Sequence, residues 1–329
     1  MSKLKGKYYL GIDIGGTKCA VIAARGNMEI LEKEGFHTET GKGPVHAINL
    51  LLKNAALITE KLGSEGLQAI GISCGGPLDS KIGIVQSPPN LPGWDNIPIV
   101  NIFEDKFHVP AFLQNDANAC ALAEWKFGAG KGVDNMIFLT FGTGMGAGII
   151  TDGKLYSGTN DLAGEVGHIR LADDGPEAYG KKGSFEGFCS GTGIARIARK
   201  IISEKLAAGE PVSFLKKVSD LNNITTKNIA EAASEGDKTA IEIFEYSGKY
   251  LGKGLSILID ILNPQLIVIG SIFTRCRQFL EPACMEVIRQ EALEPARLVC
   301  NVVPAALGEQ VGDYASISVA VVGLTGKNK

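Results

Sequence analysis

Short apolar runs alternate with polar turns along the first hundred residues, in the rhythm of an α/β chain. Residues 8–13, 18–24 and 28–33 read as a three-stranded meander, turning at Gly15-Gly16 and at Arg25-Gly26-Asn27. Residues 45–62 have helical spacing, with Pro44 near the start and Gly63 just past the end. An apolar strand over 67–74 ends at Gly75-Gly76-Pro77, and a Pro-rich loop follows over 87–94. The pattern then predicts a helix over 98–107, a strand over 111–114 and a helix over 117–127, with Asn115-Asp116 at the junction. Residues 137–150 repeat the opening design of strand, glycine turn and returning strand. A loop over 171–190 is rich in Gly, Asp and Lys. Beyond it, helices are predicted over 192–207 and 237–262, a buried strand over 266–269, a helix over 276–292, a strand over 297–303 and a last helix over about 313–324. The repeated hairpin suggests two related α/β halves with a cleft between them, a common place for ligands.

The two glycine turns carry the first chemical suggestion. Asp13 ends an apolar run and is followed by Gly15, Gly16, Thr17 and Lys18; the second turn is Gly142-Thr143-Gly144. Glycine lets backbone N–H groups approach an anion and adopt positive φ without steric cost, and successive N–H groups can form an anion nest. Asp13 would repel phosphate unless a cation lay between them, and Mg²⁺ is suited to that role. Two ordinary tight hairpins remain the alternative. Each turn leads into a strand rather than a helix, so neither matches a Walker or dinucleotide fingerprint.

Composition narrows the classes. A chain of 329 residues is comfortable as two domains. Net charge is −3 and no long basic run occurs, which argues against a nucleic-acid surface. No apolar stretch reaches membrane-spanning length, and the basic N-terminus lacks a signal-peptide core, so a cytoplasmic protein is expected. Seven scattered cysteines with no CxxC pair read as thiols in a reducing compartment.

Six motifs in order go further. They are Asp13-Ile-Gly-Gly-Thr-Lys, Gly75-Gly76-Pro77-Leu78-Asp79, Asn115-Asp116-Ala117-Asn118-Ala119, Gly142 to Gly148, Glu165-Val166-Gly167-His168-Ile169, and Asn263-Pro264 to Ile269-Gly270. Together, over nearly the whole chain, they resemble the ROK family of sugar kinases and sugar-responsive repressors. The resemblance implies a two-domain actin- and hexokinase-like (ribonuclease H-like) α/β fold with an interdomain cleft. Each domain would carry a five-stranded mixed sheet. The expected division is 1–116 plus about 308–329 for the smaller domain and 117–307 for the larger. Family repressors carry a helix-turn-helix ahead of the first phosphate turn, and Asp13 lies too near the N-terminus to leave room for one, so a kinase is expected.

The resemblance also implies roles. Asp116 would be the general base; a helix N-cap is the plain alternative for it. Asn115, Asp116, Glu165, His168 and Glu186 would bind sugar hydroxyls, with backbone help near Gly76. Asp13, Gly15, Gly16, Thr17, Gly142, Thr143 and Gly144 would serve ATP and Mg²⁺, with Asp13 reaching the metal through water. Lys18 and Gly270 join the nucleotide set. Ser271 stands where the family usually has a second glycine.

The pattern breaks at the family's CxCGxxGC zinc motif. Gly180 and Gly183 set its register, and the cysteine positions hold Glu177, Tyr179 and Ser184. Tetrahedral zinc needs four ligands, chiefly Cys and His, so no zinc is expected and packing must hold the loop. The sequence therefore reads as an ATP- and Mg²⁺-dependent hexose 6-kinase, glucokinase-like. The alternatives are an N-acetylmannosamine kinase and a non-catalytic sugar sensor. A homodimer is the family's suggestion.

Overall fold

A computed structural model describes residues 6–215 and 217–326. The chain opens with strands β1 (Tyr8–Ile14), β2 (Lys18–Ala24) and β3 (Ile30–His37), then helix α1 (Gly43–Leu62) and β4 (Leu67–Cys74). Two short strands, β5 (Leu78–Asp79) and β6 (Ile84–Val85), lead to α2 (Ile99–Phe107), β7 (Ala111–Asn115) and α3 (Asp116–Phe127). Strands β8 (Met136–Phe141), β9 (Met145–Thr151) and β10 (Lys154–Tyr156) follow. Next come β11 (Glu177–Ala178), β12 (Lys181–Lys182), α4 (Phe185–Phe188), α5 (Gly191–Ala207), α6 (Thr226–Ser234) and α7 (Lys238–Leu262). The chain ends through β13 (Leu266–Ile269), α8 (Ile272–Glu291), α9 (Glu294–Val299), β14 (Asn301–Pro304) and α10 (Val311–Gly326).

Among the described residues, two five-stranded mixed sheets form, in the orders β3-β2-β1-β4-β7 and β10-β9-β8-β13-β14. The chain divides into two compact units. One holds the residues up to Gly132, Gly148–Ala163 and those from Glu309 onward; the other holds Val133–Ala147 and Gly164–Gly308. The junction of β7 and α3, where the sequence suggested a boundary, lies within the first unit.

In the first unit, β1 and β4 are apolar along nearly their whole length because both faces of the sheet are covered. On one face Leu10, Ile12 and Ile72 pack with Leu51, Ile58 and Phe103. On the other face lies α10. Gly11 and Gly71 are register partners, and a Cβ on Gly11 would stand 3.0 Å from the backbone N of Ile317, one on Gly71 3.1 Å from the carbonyl carbon of Val319. Glycine in the strands, with Ala315, Ser316 and Ala320 on the helix, lets α10 seat directly on the sheet. In the second unit, Phe141, Phe185, Phe244 and Leu280 belong to one continuous buried cluster.

Three sequence expectations change. The loop over 171–190 contains the β11–β12 hairpin and the single turn α4. The strand predicted over 297–303 starts as helix: Pro295 in its first turn sets φ for a helical start, and Leu298 and Val299 are exposed, so their apolarity marks no buried strand. The unforeseen α6 is announced by a capping box between Thr225 and Asn228.

Candidate active site

β1, β4 and β7 run parallel, and their carboxyl ends lie side by side: Ile14 pairs with Cys74, and Cys74 with Asn115. Ligands of open α/β sheets collect at such edges. Three sequence motifs thus reach one edge of the first unit: Asp13 with its glycine turn, Gly75-Gly76, and Asn115-Asp116. The turn is held by Gly15 N–H donating to Lys18 O (3.1 Å) and by the Thr38 hydroxyl donating to Gly15 O (2.6 Å). Contrary to the sequence reading, neither Gly15 nor Gly16 has positive φ. Close approach requires them: a Cβ on Gly15 would lie 2.8 Å from Lys18 O, and one on Gly16 2.6 Å from Asn90 O. Thr17 and Lys18 are exposed. A Cβ on Gly76 would meet nothing within 4 Å, so its backbone borders open space.

Asp13 is half-buried, and its pKa is pushed up to about 7 by burial first and then by the charges of Asp313 and Asp116, with Lys33 opposing. Lys33 is engaged by Asp313 at 2.6 Å. A carboxylate destabilised by two others favours a cation beside it. Among the described residues no cluster of three His, Cys, Asp or Glu side chains can hold a metal alone. Mg²⁺ takes one or two carboxylates and completes its shell with water and phosphate, so Asp13 is the residue that would hold it.

Asn115 caps α3: its Oδ1 accepts Asn118 N–H at 2.8 Å. The cap role considered for Asp116 therefore belongs to its neighbour. Asp116 is the first helical residue; its Oδ1 accepts Ala117 N–H at 2.8 Å. The residue is exposed, yet partial burial of its carboxyl group by the surrounding protein raises its pKa above the usual carboxylate value, with the N–H groups of Ala117 and of Asp116 itself opposing. Asn90, which the sequence reading passed over, reaches the same edge and lies against Gly16 and Gly75. The buried Leu91 and Trp94 anchor its loop, and a polar residue beside apolar anchors in a Pro-rich loop is the signal that could have marked it.

In the second unit, Glu165 precedes a single 3₁₀ turn that His168 ends, and both are exposed. Glu186 accepts two hydrogen bonds on Oε2, from Met145 N–H at 2.9 Å and from the Tyr179 hydroxyl at 2.6 Å. Gly167 sits where a Cβ would lie 3.3 Å from Glu186 Cβ and 3.4 Å from Tyr179 Oη. The glycine of the Glu-x-Gly-His motif is thus needed for packing. The turn at Gly142-Thr143-Gly144 also uses close approach rather than positive φ; a Cβ on Gly144 would stand 2.8 Å from Glu186 Oε2.

Gly142 and Thr143 border a pocket of about 910 Å³ within this unit, lined also by Thr192, Lys227, Ser271 and Arg275. The N-termini of α5 and α8 border it, and three cationic side chains, Arg199, Lys227 and Arg275, line it, so helix dipoles and positive charge together favour an anion there. Gly270 is buried against Phe138 and does not line the pocket; Ser271 does.

Residues 9–318 match the sequence profile of the ROK family. The chain belongs to the ROK family. A glucokinase from Halalkalibacterium halodurans is 34% identical over 274 residues, 80% of this chain and 80% of that protein. A xylose repressor from Caldicellulosiruptor bescii is 31% identical over 288 residues, 86% of this chain and 70% of the repressor. The crystal structure of a ROK family glucokinase from Streptomyces griseus, in complex with glucose and AMPPNP, matches with a TM-score of 0.74 at 29% identity, covering 95% of this chain and 99% of that one. The fold is therefore the actin- and hexokinase-like α/β fold of ROK sugar kinases.

At the three positions where the sequence comparison placed zinc cysteines, backbone and side-chain groups make other contacts. The carbonyl of Glu177 accepts from Arg196, the Ser184 hydroxyl caps α4 by accepting Gly187 N–H at 3.1 Å, and Tyr179 stacks on His168. This donor set does not suit tetrahedral zinc. The loop is held by that stack, by Lys181 donating to His168 O and by Arg170 donating to Lys182 O at 3.0 Å. Where ROK members usually carry a second glycine, Ser271 keeps a glycine-like backbone, φ 57° and ψ −112°.

Proposed function

We propose that this ROK protein is an ATP-dependent sugar kinase that phosphorylates a hexose at its 6-hydroxyl, with glucose the first substrate to test. The observation that carries the reading is Asp116. Its neighbour caps the helix, the residue is exposed, and partial burial of the carboxyl raises its pKa, which makes it a better proton acceptor than an ordinary Asp. The glucokinase relatives and the glucose and AMPPNP complex of the Streptomyces griseus enzyme support the choice of sugar and donor.

In this reading Asp116 orients the 6-hydroxyl and takes its proton as the oxygen attacks the γ-phosphorus. The new O–P bond forms as the bond to the β-phosphate oxygen breaks, and ADP leaves with that electron pair. Asn90, Asn115, Glu165, His168 and Glu186 hold the remaining hydroxyls; Asn115 does so through its amide nitrogen, since its Oδ1 is in the cap. Thr17, Thr143 and the N–H groups of the two glycine turns other than those of Gly15 and Gly142, which close the turns, hold phosphate oxygens. Mg²⁺, when bound, supplies charge neutralisation at the phosphates, and Asp13 would hold it through water. A cytoplasmic homodimer completes the proposal; that all seven cysteines are free thiols agrees with a reducing compartment.

The test is a coupled ADP-release assay over glucose, mannose, fructose, N-acetylglucosamine and N-acetylmannosamine. Turnover with none of them would sink the kinase reading. The likeness to the xylose repressor favours a second reading, a sugar-responsive regulator without turnover. Calorimetric sugar binding with no ADP release would select it.

A further inference from the structure

Tyr179 makes two contacts that converge on the sugar-binding groups proposed above. Its ring lies on the His168 imidazole, with centroids 3.6 Å apart and planes 21° from parallel. Its hydroxyl donates to Glu186 Oε2 at 2.6 Å. That oxygen also accepts Met145 N–H, in the chain leaving the second glycine turn. Burial and the bond to Glu186 raise the Tyr179 pKa, so the phenol stays a donor at any working pH. We propose that Tyr179 is a positioning residue for substrate binding, holding the His168 ring plane with its face and the Glu186 carboxylate with its hydroxyl.

The physical case rests on freedom removed. Glu186 has three rotatable bonds, and Met145 N–H alone fixes one oxygen without setting the carboxylate plane. The Tyr179 donor on the same oxygen, from a hairpin tied by Lys181 to the carbonyl of His168, sets the plane and leaves Oε1 to turn toward a ligand. His168 is exposed and would sample several rotamers without the aromatic face against it. Tyr179 itself is 48% exposed, so its contacts do little for the core. Its chemistry serves the two side chains it touches.

The inference rests on the assignment of Glu186 and His168 to the sugar, and the experiment separates the two claims. Tyr179→Phe keeps the stack and removes the hydroxyl, and Tyr179→Leu removes both. Sugar KM, kcat and thermal midpoint are measured for each, for Glu186→Ala, and for the double variant with Tyr179→Phe. Phe is expected to raise sugar KM about tenfold with kcat changed far less, the loss of one hydrogen bond to a charged acceptor. Leu is expected to raise it further. In the Glu186→Ala background the Phe change should add nothing. An unchanged sugar KM in Tyr179→Phe, or full additivity with Glu186→Ala, overturns the positioning role while leaving the sugar site intact. An unchanged KM in Glu186→Ala itself overturns the sugar-site assignment and the inference with it. A lowered thermal midpoint with KM and kcat equally affected marks a merely structural residue.

Discussion

The side chain of Asn115 accepts the backbone N–H of Asn118 at 2.8 Å, and so takes the capping role that would otherwise fall to Asp116. The division of labour between these neighbours is the basis of the first prediction. Asp116→Asn keeps size and polarity but cannot take a proton. Turnover should fall about 10²–10⁴-fold while calorimetric sugar affinity stays of the same order. Full activity in this variant would remove Asp116 from its role. Asn115→Ala should cost about 1 kcal/mol of stability through loss of the cap, read by urea unfolding, and should lower turnover because Asp116 then has a cap to fill.

Asp13 predicts a pH dependence of folding. Its carboxyl titrates near about 7 in the folded protein against 3.8 as the ordinary value. Between those values the folded state keeps a proton that the unfolded state has lost. Stability contributed by this group therefore falls as pH rises from about 4 to about 7, and levels off above. The thermal midpoint of the nucleotide-free protein should drop between pH 5 and 7.5, and Asp13→Asn should flatten that drop. Lys33→Met should steepen it, since Lys33 lowers the Asp13 pKa. Equal slopes in wild type and Asp13→Asn would refute the assignment.

Ser271 holds a backbone conformation at φ 57° and ψ −112° that side chains rarely adopt. Such residues store about 1–3 kcal/mol of strain, and glycine returns about 0.5–1 kcal/mol of that through chain entropy. Ser271→Gly should therefore raise the urea midpoint with an unchanged slope. The ATP KM should stay within a small factor if the backbone, not the hydroxyl, serves the pocket. A destabilised glycine variant would show that the hydroxyl matters more than the strain.

Gly71 faces α10 with no room for a methyl group; an added Cβ would meet the carbonyl oxygen of Ser316 and the amide of Ala320. These are backbone atoms, so relief requires moving the helix. Gly71→Ala should cost about 1–3 kcal/mol, visible in denaturant unfolding, and should loosen the sheet edge that carries Asp13 and Asn115. A neutral outcome would mean that α10 is more mobile than its packing implies.

Gly11 and Gly71 show what local reading cannot find. Glycine in a strand normally weakens it, and only the return of a helix from the far end of the chain explains the pair. The same limit applied at 297–303. Apolar residues there read as one strand, but Pro295 starts a helix whose Leu298 and Val299 face solvent, and the strand begins only at Asn301.

Order and spacing of short motifs were enough for the family, the strand–turn–strand hairpins and strands β1–β4, β7–β9 and β13, because glycine turns and apolar periodicity are local properties of the chain. The tertiary structure alone decided which groups those motifs meet. It laid the ends of β1, β4 and β7 side by side, brought Asn90 to Gly16, gave the cap to Asn115, and set Tyr179 between His168 and Glu186. Each of these depends on close approach between residues far apart in sequence or on competition between neighbours for one N–H group, and neither leaves a period or a spacing in the chain.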